Sequence, residues 1–136
     1  MATRSTIALE FADGTIGQVY CHWDGYIEHN GKILFNHYSD PFKLRELIDL
    51  GNLSSLAEDI GEKHNFDDNV KGQCTFYGRD RGEEDVEAVY YTDFDTYSLE
   101  GDFEDYNYIL RRDGVWYVNY DDTGKWVVLK DQKGLK

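Results

Sequence analysis

Alternating apolar and polar positions over residues 5–23 predict a β-hairpin. Asp13-Gly14 lies at its centre, and this pair favours a two-residue type I′ turn because both loop positions need positive φ. A two-residue loop fixes the register, and the pairs that matter for chemistry are Ser5 with His22 and Arg4 with Trp23. The core face predicted by this register consists of Ile7, Leu9, Phe11, Ile16 and Tyr20.

The spacing of apolar residues changes to a helical period after residue 40. Asp40 is suited to cap a helix that begins at Pro41, and Gly51 is suited to end it. The apolar stripe predicted for this helix contains Phe42, Leu44, Leu47 and Ile48. Leu53 and Leu56 predict a further short helical turn.

The second half of the chain reads mainly as loop and strand. Residues 58–85 are polar and rich in glycine, with one short strand predicted at 74–77. Residues 86–106 begin as a strand and then become acidic and aromatic. Segments 106–112, 115–120 and 125–130 predict a three-stranded meander, with turns at Asp113-Gly114 and at 121–124.

These elements predict an α+β fold. We expect a mainly antiparallel sheet, built from the N-terminal hairpin and the C-terminal three-stranded meander, with one or two helices packed on it. The length, and the absence of a linker-like segment, predict a single domain over residues 1–136.

The charge of the chain narrows its possible partners. The net charge is −13, with 27 acidic and 14 basic residues. Such a surface repels nucleic acid and anionic membrane, so we expect neither direct nucleic-acid binding nor membrane binding. Two distant cysteines favour free thiols in a reducing compartment. No secretory signal or apolar span is recognisable, which predicts a cytoplasmic protein.

The stretch CHWDGYIEH, residues 21–29, carries the densest potential chemistry. One hypothesis is a small hydrolase or metal enzyme that uses His22 and Asp24, since the predicted register places Ser5 opposite His22. No histidine or carboxylate spacing matches a known metal motif, and no dinucleotide or phosphate-loop motif is present. We therefore predict no metal, no cofactor and no assigned catalytic residue.

A second hypothesis for this stretch is a ligand pocket. An aromatic wall beside one arginine suits a nucleotide-type signal, whose base stacks on a ring and whose phosphate pairs with guanidinium. The candidate ligand-binding residues are Arg4, Ser5, Tyr20, His22, Trp23, Asp24 and Tyr26.

A third hypothesis concerns the acidic aromatic segment at 92–108. Its carboxylates can select a basic partner, and its rings can anchor an interface; they also make a homodimer plausible. An alternative is a solvated edge strand protected by its charges. The candidate protein-binding residues are Asp93, Phe94, Asp95, Tyr97, Asp102, Phe103, Glu104, Asp105 and Tyr106.

Two stretches of the first 56 residues carry a family resemblance, TRSTIALEFADGTIGQVYCHWDGYIEHNGKIL and HYSDPFKLRELIDLGNLSSL. They resemble an uncharacterised family of small acidic bacteriophage and prophage proteins with an N-terminal TRSxIA segment and an HWDGY motif. The matching positions are Thr3, Arg4, Ser5, His22, Trp23, Asp24, Gly25, Tyr26, His37, Tyr38, Gly51, Ser54, Ser55 and Leu56.

The resemblance implies a phage accessory protein in the cytoplasm of an infected bacterial host, and it brings no catalytic residues. Such proteins commonly act by binding. The function we expect is inhibition of a host or anti-phage defence protein that has a basic surface. The alternatives are sequestration of a nucleotide-type signal, as a sponge, and the small enzyme.

Overall fold

A mixed β-sheet of eight strands organises the part of the chain that the computed structural model describes, residues 2–68, 70–120 and 125–135. The strands are β1 Ser5–Glu10, β2 Ile16–Cys21, β3 Leu53–Ser55, β4 Thr75–Phe76, β5 Val89–Tyr91, β6 Tyr106–Leu110, β7 Trp116–Tyr120 and β8 Val127–Val128. Their order is β4-β3-β2-β1-β6-β7-β8, and β5 also pairs with β2. The helices are α1 Lys32–His37, α2 Pro41–Asp49, α3 Tyr77–Arg81 and α4 Phe94–Glu100, with a π-helical turn at Ile27–Gly31 and a 3-10 turn at Leu129–Asp131.

The prediction of a mainly antiparallel sheet is wrong. β1 runs parallel to β6, with Ile7 opposite Tyr108, and β2 runs parallel to β3, with Cys21 opposite Leu53. The N-terminal hairpin and the C-terminal strands are therefore parts of one mixed sheet. A pairing between parallel strands needs a long connection, so no local turn signal announces it in the sequence.

The hairpin forms, but its predicted register is wrong by one residue. Ser5 lies opposite Cys21, and the loop has three residues, because the Phe11 amide donates to the Thr15 carbonyl at 2.8 Å. The Asp13 carboxylate stabilises this loop by accepting from the Thr15 amide at 3.0 Å, and Gly14 adopts a φ of 92°. Such loops commonly end in a left-handed glycine.

Both faces of the sheet are covered, and the predicted core face mixes residues from the two. Ile7 and Leu9 pack in the main core with α1 and α2. Ile16 belongs instead to a smaller cluster on the opposite face, where its neighbours are Ala8, Ile109 and the α4 residue Tyr97. Tyr20 is only half-buried, because the one-residue shift removes it from the main core face.

Helix α2 confirms the predicted start and end. The Asp40 carboxylate accepts from the Phe42 amide at 2.9 Å, and Gly51 follows the helix with a φ of 87°. The apolar stripe is narrower than predicted, since Phe42 is 83% exposed. At 3.6 residues per turn Phe42 points about 200° away from Leu44, which is buried.

Four further segments test the sequence pattern. Leu53–Ser55 is a strand, so the helical turn predicted there is wrong, whereas Thr75–Phe76 confirms the short strand predicted at 74–77. The acidic segment contains helix α4, which the pattern did not predict. β6, β7 and β8 pair antiparallel as a meander, and its second predicted turn, at 121–124, lies outside the described residues.

Candidate functional site

The HWDGY stretch, residues 22–26, follows β2 and runs beside β3. The His22 and Trp23 amides donate to the Leu53 and Ser54 carbonyls at 3.1 and 3.0 Å. Trp23 therefore does not pair with Arg4 as predicted, although the side chains of both residues are exposed. His22 lies 2.7 Å from the Tyr20 hydroxyl through its Nδ1 atom, and its ring contacts the Trp23 indole edge-to-face at 4.7 Å.

A buried asparagine explains most of the polar residues around this stretch. Asn30 is fully buried, and its amide nitrogen lies 3.2 Å from Ser5 Oγ, 3.5 Å from Cys21 Sγ and 3.3 Å from the Trp23 carbonyl. Its amide oxygen lies 2.9 Å from His29 Nδ1. Ser5 is thus buried, hydrogen-bonded to Asn30 and opposite Cys21 instead of His22, so the predicted serine–histidine pair does not form.

Asp24 and Gly25 shape the turn that brings Asn30 to this position. Asp24 has a φ of 58°, and its carboxylate accepts from the Tyr26 hydroxyl at 3.3 Å. A Cβ atom on Gly25 would lie 2.7 Å from the Ser5 Cβ, and the Gly25 carbonyl accepts from the buried Tyr108 hydroxyl at 2.7 Å. These contacts give the motif a structural role as the junction of β1, β2 and the π-helical turn.

The two cysteines are buried free thiols. Burial raises the pKa of Cys21 to about 12 and also raises the pKa of Cys74. Because the thiolate is the nucleophile and metal ligand, neither side chain is activated for chemistry.

A hydroxyl, an imidazole and a carboxylate do meet elsewhere, at residues that the sequence did not indicate. His64 Nε2 lies 3.2 Å from Thr75 Oγ1, and His64 Nδ1 lies 3.7 Å from Asp80 Oδ1. The order resembles a catalytic triad, but Thr75 is buried and the Asp80 carboxylate is neutralised by Arg79 at 3.0 Å. Arg79 also donates to the Ile60 carbonyl at 3.0 Å, so the cluster fastens the 58–73 segment to β4 and α3.

In the acidic segment, the aromatic rings pack toward the core and most carboxylates face solvent. Phe94, Tyr97 and Phe103 point inward and form T-shaped or tilted ring contacts with Trp126 or with one another. Tyr106 stacks on Tyr120. The aromatic candidates are therefore mostly core side chains. The exposed carboxylates are those of Asp93, Asp95, Glu100, Asp102 and Asp105.

Leu99 is the apolar side chain that this surface does present. It is 86% exposed on α4, one turn after Asp95 and directly before Glu100. The prediction missed it because α4 was not recognised. The sequence signal for this helix is Asp93, a residue type that favours helix starts. Its carboxylate caps α4 by accepting from the Thr96 amide at 2.7 Å. We refer to Leu99 together with the exposed carboxylates of this segment, those of Asp93, Asp95, Glu100, Asp102 and Asp105, as the Leu99 face.

One cavity brings residues from both predicted sites together. It has a volume of about 410 Å³, and Tyr20 lines it along with Asp102, Phe103 and Glu104. Burial raises the pKa of the Tyr20 phenol, while the nearby Arg4 charge opposes that shift. Two carboxylates at its wall make this cavity unfavourable for an anionic ligand.

In the described residues, no three histidine, cysteine or acidic side chains are grouped so that they could hold a metal ion. No helix in the same residues has the length and apolar character needed to cross a bilayer. Comparisons with protein-family models, curated proteins and solved structures found no match to this chain.

Proposed function

We propose that this chain is a phage-encoded accessory protein that acts by binding, and that it inhibits a host or anti-phage defence protein with a basic surface. The observation that supports the proposal is the Leu99 face, where exposed carboxylates surround an 86% exposed leucine. The phage setting rests on the family resemblance of residues 1–56. The protein would act in the cytoplasm of the infected bacterium under this proposal.

Charge supplies the selectivity of such an interaction. A net charge of −13 attracts a basic partner at long range and accelerates association, and the carboxylates of the Leu99 face then pair with its cations. Leu99 supplies the apolar contact that exposed ion pairs lack, since interface energy concentrates in a few desolvated side chains. The inward rings of Tyr97 and Phe103 hold the surface rigid instead of contacting the partner.

A quadruple variant tests the surface. Asp95→Asn, Glu100→Gln, Asp102→Asn and Asp105→Asn together remove four exposed charges that accept no hydrogen bond from the described residues through their side chains. The matched control is Asp67→Asn, Asp68→Asn, Glu84→Gln and Glu87→Gln, which removes the same charge elsewhere.

The measurement is capture of host proteins from infected cells, followed by binding titrations of the captured protein at several salt concentrations. We expect the control to bind like the wild type, with affinity that falls as salt rises. The surface variant should lose binding by about tenfold or more. Equal binding by both variants would reject the Leu99 face as the inhibitory surface.

The alternatives have less geometric support. A nucleotide sponge needs an arginine beside an aromatic wall, but Arg4 and Trp23 are not paired, and the cavity beside Tyr20 is lined by carboxylates. An enzyme based on His22 and Asp24 would need a nearby nucleophile, and Ser5 is bonded to Asn30. No observation on the described residues favours either over the binding function.

A further inference from the structure

A groove at the end of β1 and β6 has a chemical character unlike the rest of this acidic chain. Its volume is about 420 Å³; its walls include Leu9, Phe42 and Leu110, and its rim carries Arg45, Arg111 and Arg112. We call it the arginine groove. None of these residues was a candidate on sequence grounds, because they come from the hairpin, α2 and the β6–β7 turn.

The charge of the arginine groove is positive. Its one carboxylate, Glu10, accepts from Arg111 Nε at 3.1 Å and from the Arg112 amide at 3.0 Å. Arg45 has no carboxylate within 4.0 Å among the described residues, and its guanidinium lies 5.2 Å from the Phe11 ring centre. The Arg111 guanidinium is engaged by Glu10 and by the Phe94 ring, whose centre lies 3.7 Å away. The guanidiniums of Arg45 and Arg112 are left to accept an anionic partner.

Two exposed apolar side chains have opposite surroundings. Leu99, 86% exposed, and Phe42, 83% exposed, are the most exposed large hydrophobic residues in the described chain. Leu99 lies among carboxylates, whereas Phe42 lies beside Arg45 at the arginine groove. One surface thus offers an apolar knob with acidic neighbours, and the other offers an apolar cleft with basic neighbours.

Leu99 cannot enter the arginine groove of its own molecule. Helix α4 packs through Tyr97 on the face of the sheet that carries Ala8 and Ile109. Helix α2 packs through Leu44 and Leu47 on the opposite face. Arg111 reaches the α4 side, where its guanidinium lies 3.7 Å from the Phe94 ring centre. Leu99 and Phe42 themselves lie on helices that cover opposite faces of the sheet, so Leu99 reaches the cleft beside Phe42 only in a second copy.

We propose that the arginine groove binds the Leu99 face of a second copy of this chain. Leu99 enters the cleft against Phe42, and its acidic neighbours Asp95 and Glu100 meet the guanidiniums at the rim. The contact joins two different surfaces, so it is head-to-tail. The occupant follows from complementarity of both charge and polarity between two surfaces of the same chain.

The test uses two variants that each retain one surface. Phe42→Ser with Arg45→Ser disables the groove, and Leu99→Ser with Asp95→Ser disables the Leu99 face. Val70→Ser with Lys63→Ser is the control, since both residues are exposed and neither lines a cavity with a residue of either surface. All the altered side chains are on loops or helix surfaces, and circular dichroism spectra check that each variant is folded.

Sedimentation velocity from micromolar to submillimolar protein measures the association. Salt near 0.15 M limits repulsion between the acidic copies to a Debye length of about 8 Å. We expect the wild type and the control to grow in mass with concentration. Each surface variant alone should weaken association by about tenfold or more, and an equimolar mixture should form a dimer through its one intact pair of surfaces.

Three results would overturn the proposal: a wild type that stays monomeric, variants that associate like the wild type, or a mixture that stays monomeric. Charge reversal gives a second reading, because Arg112→Glu and Glu100→Arg together in one chain should restore association that either change alone weakens. The experiment uses purified protein without any host target. Its failure therefore leaves the proposed inhibitory binding untouched, and failure of host-protein capture leaves this contact untouched.

Discussion

Two buried tyrosines, Tyr38 and Tyr97, differ in what their hydroxyl groups contact. The Tyr38 hydroxyl donates to the Ala57 carbonyl at 2.7 Å. The Tyr97 hydroxyl has no hydrogen-bond partner in the described residues, and the Thr6 hydroxyl donates its proton to Asn107. A buried polar group without a partner lowers stability. The two tyrosines therefore form a matched pair in which removal of the hydroxyl group should have opposite effects.

We expect Tyr97→Phe to keep or raise the free energy of unfolding, by up to about 1 kcal/mol, because it removes an unsatisfied hydroxyl. Tyr38→Phe should lower the same quantity by about 1–2 kcal/mol, because it leaves the Ala57 carbonyl without its donor. Urea denaturation measures both. An equal loss in the two variants would show that the Tyr97 hydroxyl has a stabilising partner after all.

Gly25 is required by its neighbours and not by its backbone angles. Its added Cβ would lie 2.7 Å from Ser5 Cβ and 2.9 Å from the Thr3 carbonyl oxygen, so Gly25→Ala should lower the free energy of unfolding by about 1–3 kcal/mol. Gly78→Ala is the control, since its Cβ would meet Val86 at an ordinary 3.4 Å within α3. We expect that change to be neutral or slightly stabilising. Similar chemical-denaturation midpoints for both variants would contradict this account of the motif.

At the scale of elements, local signals decided which parts of the fold were predictable. Helix α2 was predicted because the Asp40 cap, Pro41 and Gly51 act within a few residues of one another. Helix α4 was missed because its carboxylates and rings suggested a charged strand. The hairpin register was missed because the Asp13 side chain bonds to Thr15 and stabilises a three-residue loop, which an Asp-Gly pair alone does not distinguish from a two-residue loop.

The candidate site was less predictable than the elements. The one-residue shift in register separated Ser5 from His22 and Arg4 from Trp23, so every pairing built on that register was wrong. Residues brought together by distant elements, such as Arg45 from α2 and Arg112 after β6, carry no common sequence pattern. The positions of exposed Leu99 and Phe42 depended on knowing the orientation of each helix.

The segment at 58–73 depends on the buried carboxylate of Asp80. Burial alone would raise the pKa of this group, but hydrogen bonds from Arg79 and from the Phe76 and His64 amides hold it below its usual value. A lowered carboxyl pKa stabilises the folded state above the ordinary aspartate pKa of about 3.9, and this stabilisation is lost as pH falls through the lowered value.

We therefore expect hydrogen exchange of the 58–73 amides to accelerate as pH falls below about 4, after correction for the intrinsic exchange rate. Asp80→Asn should exchange faster at neutral pH and should lose this dependence on pH. Asp67→Asn, an exposed carboxylate of the same segment, serves as the control and should behave like the wild type. Unchanged protection in Asp80→Asn would mean that the segment is held by other contacts.

For the whole molecule, Asn107 joins the two halves of the chain. Its Oδ1 atom accepts from the Thr6 hydroxyl at 2.9 Å, and its amide nitrogen donates to the Glu104 carbonyl at 2.9 Å and the Asn119 carbonyl at 3.3 Å. It therefore ties β1, β6 and β7 together in the centre of the sheet.

We expect Asn107→Asp to lower the free energy of unfolding by about 3 kcal/mol or more, because a buried charge replaces a donor to two carbonyls. Unfolding should remain one cooperative transition, since the sheet is shared. Asn36→Asp, at an exposed position of α1, is the control and should change stability little. Calorimetry that showed two transitions in the Asn107 variant would indicate two independently folding halves.

The parallel pairing of β1 with β6 also sets the order of events during synthesis. Thr6 and its partner Asn107 are 101 positions apart, so β1 leaves the ribosome long before the strand that completes its hydrogen bonds. At about 5–20 residues per second, the delay is on the order of 5–20 s. Throughout that interval the nascent chain exposes the apolar edge of β1, whose backbone groups lack their hydrogen-bond partners. We expect the chaperones of the cell that makes the protein to shield this edge.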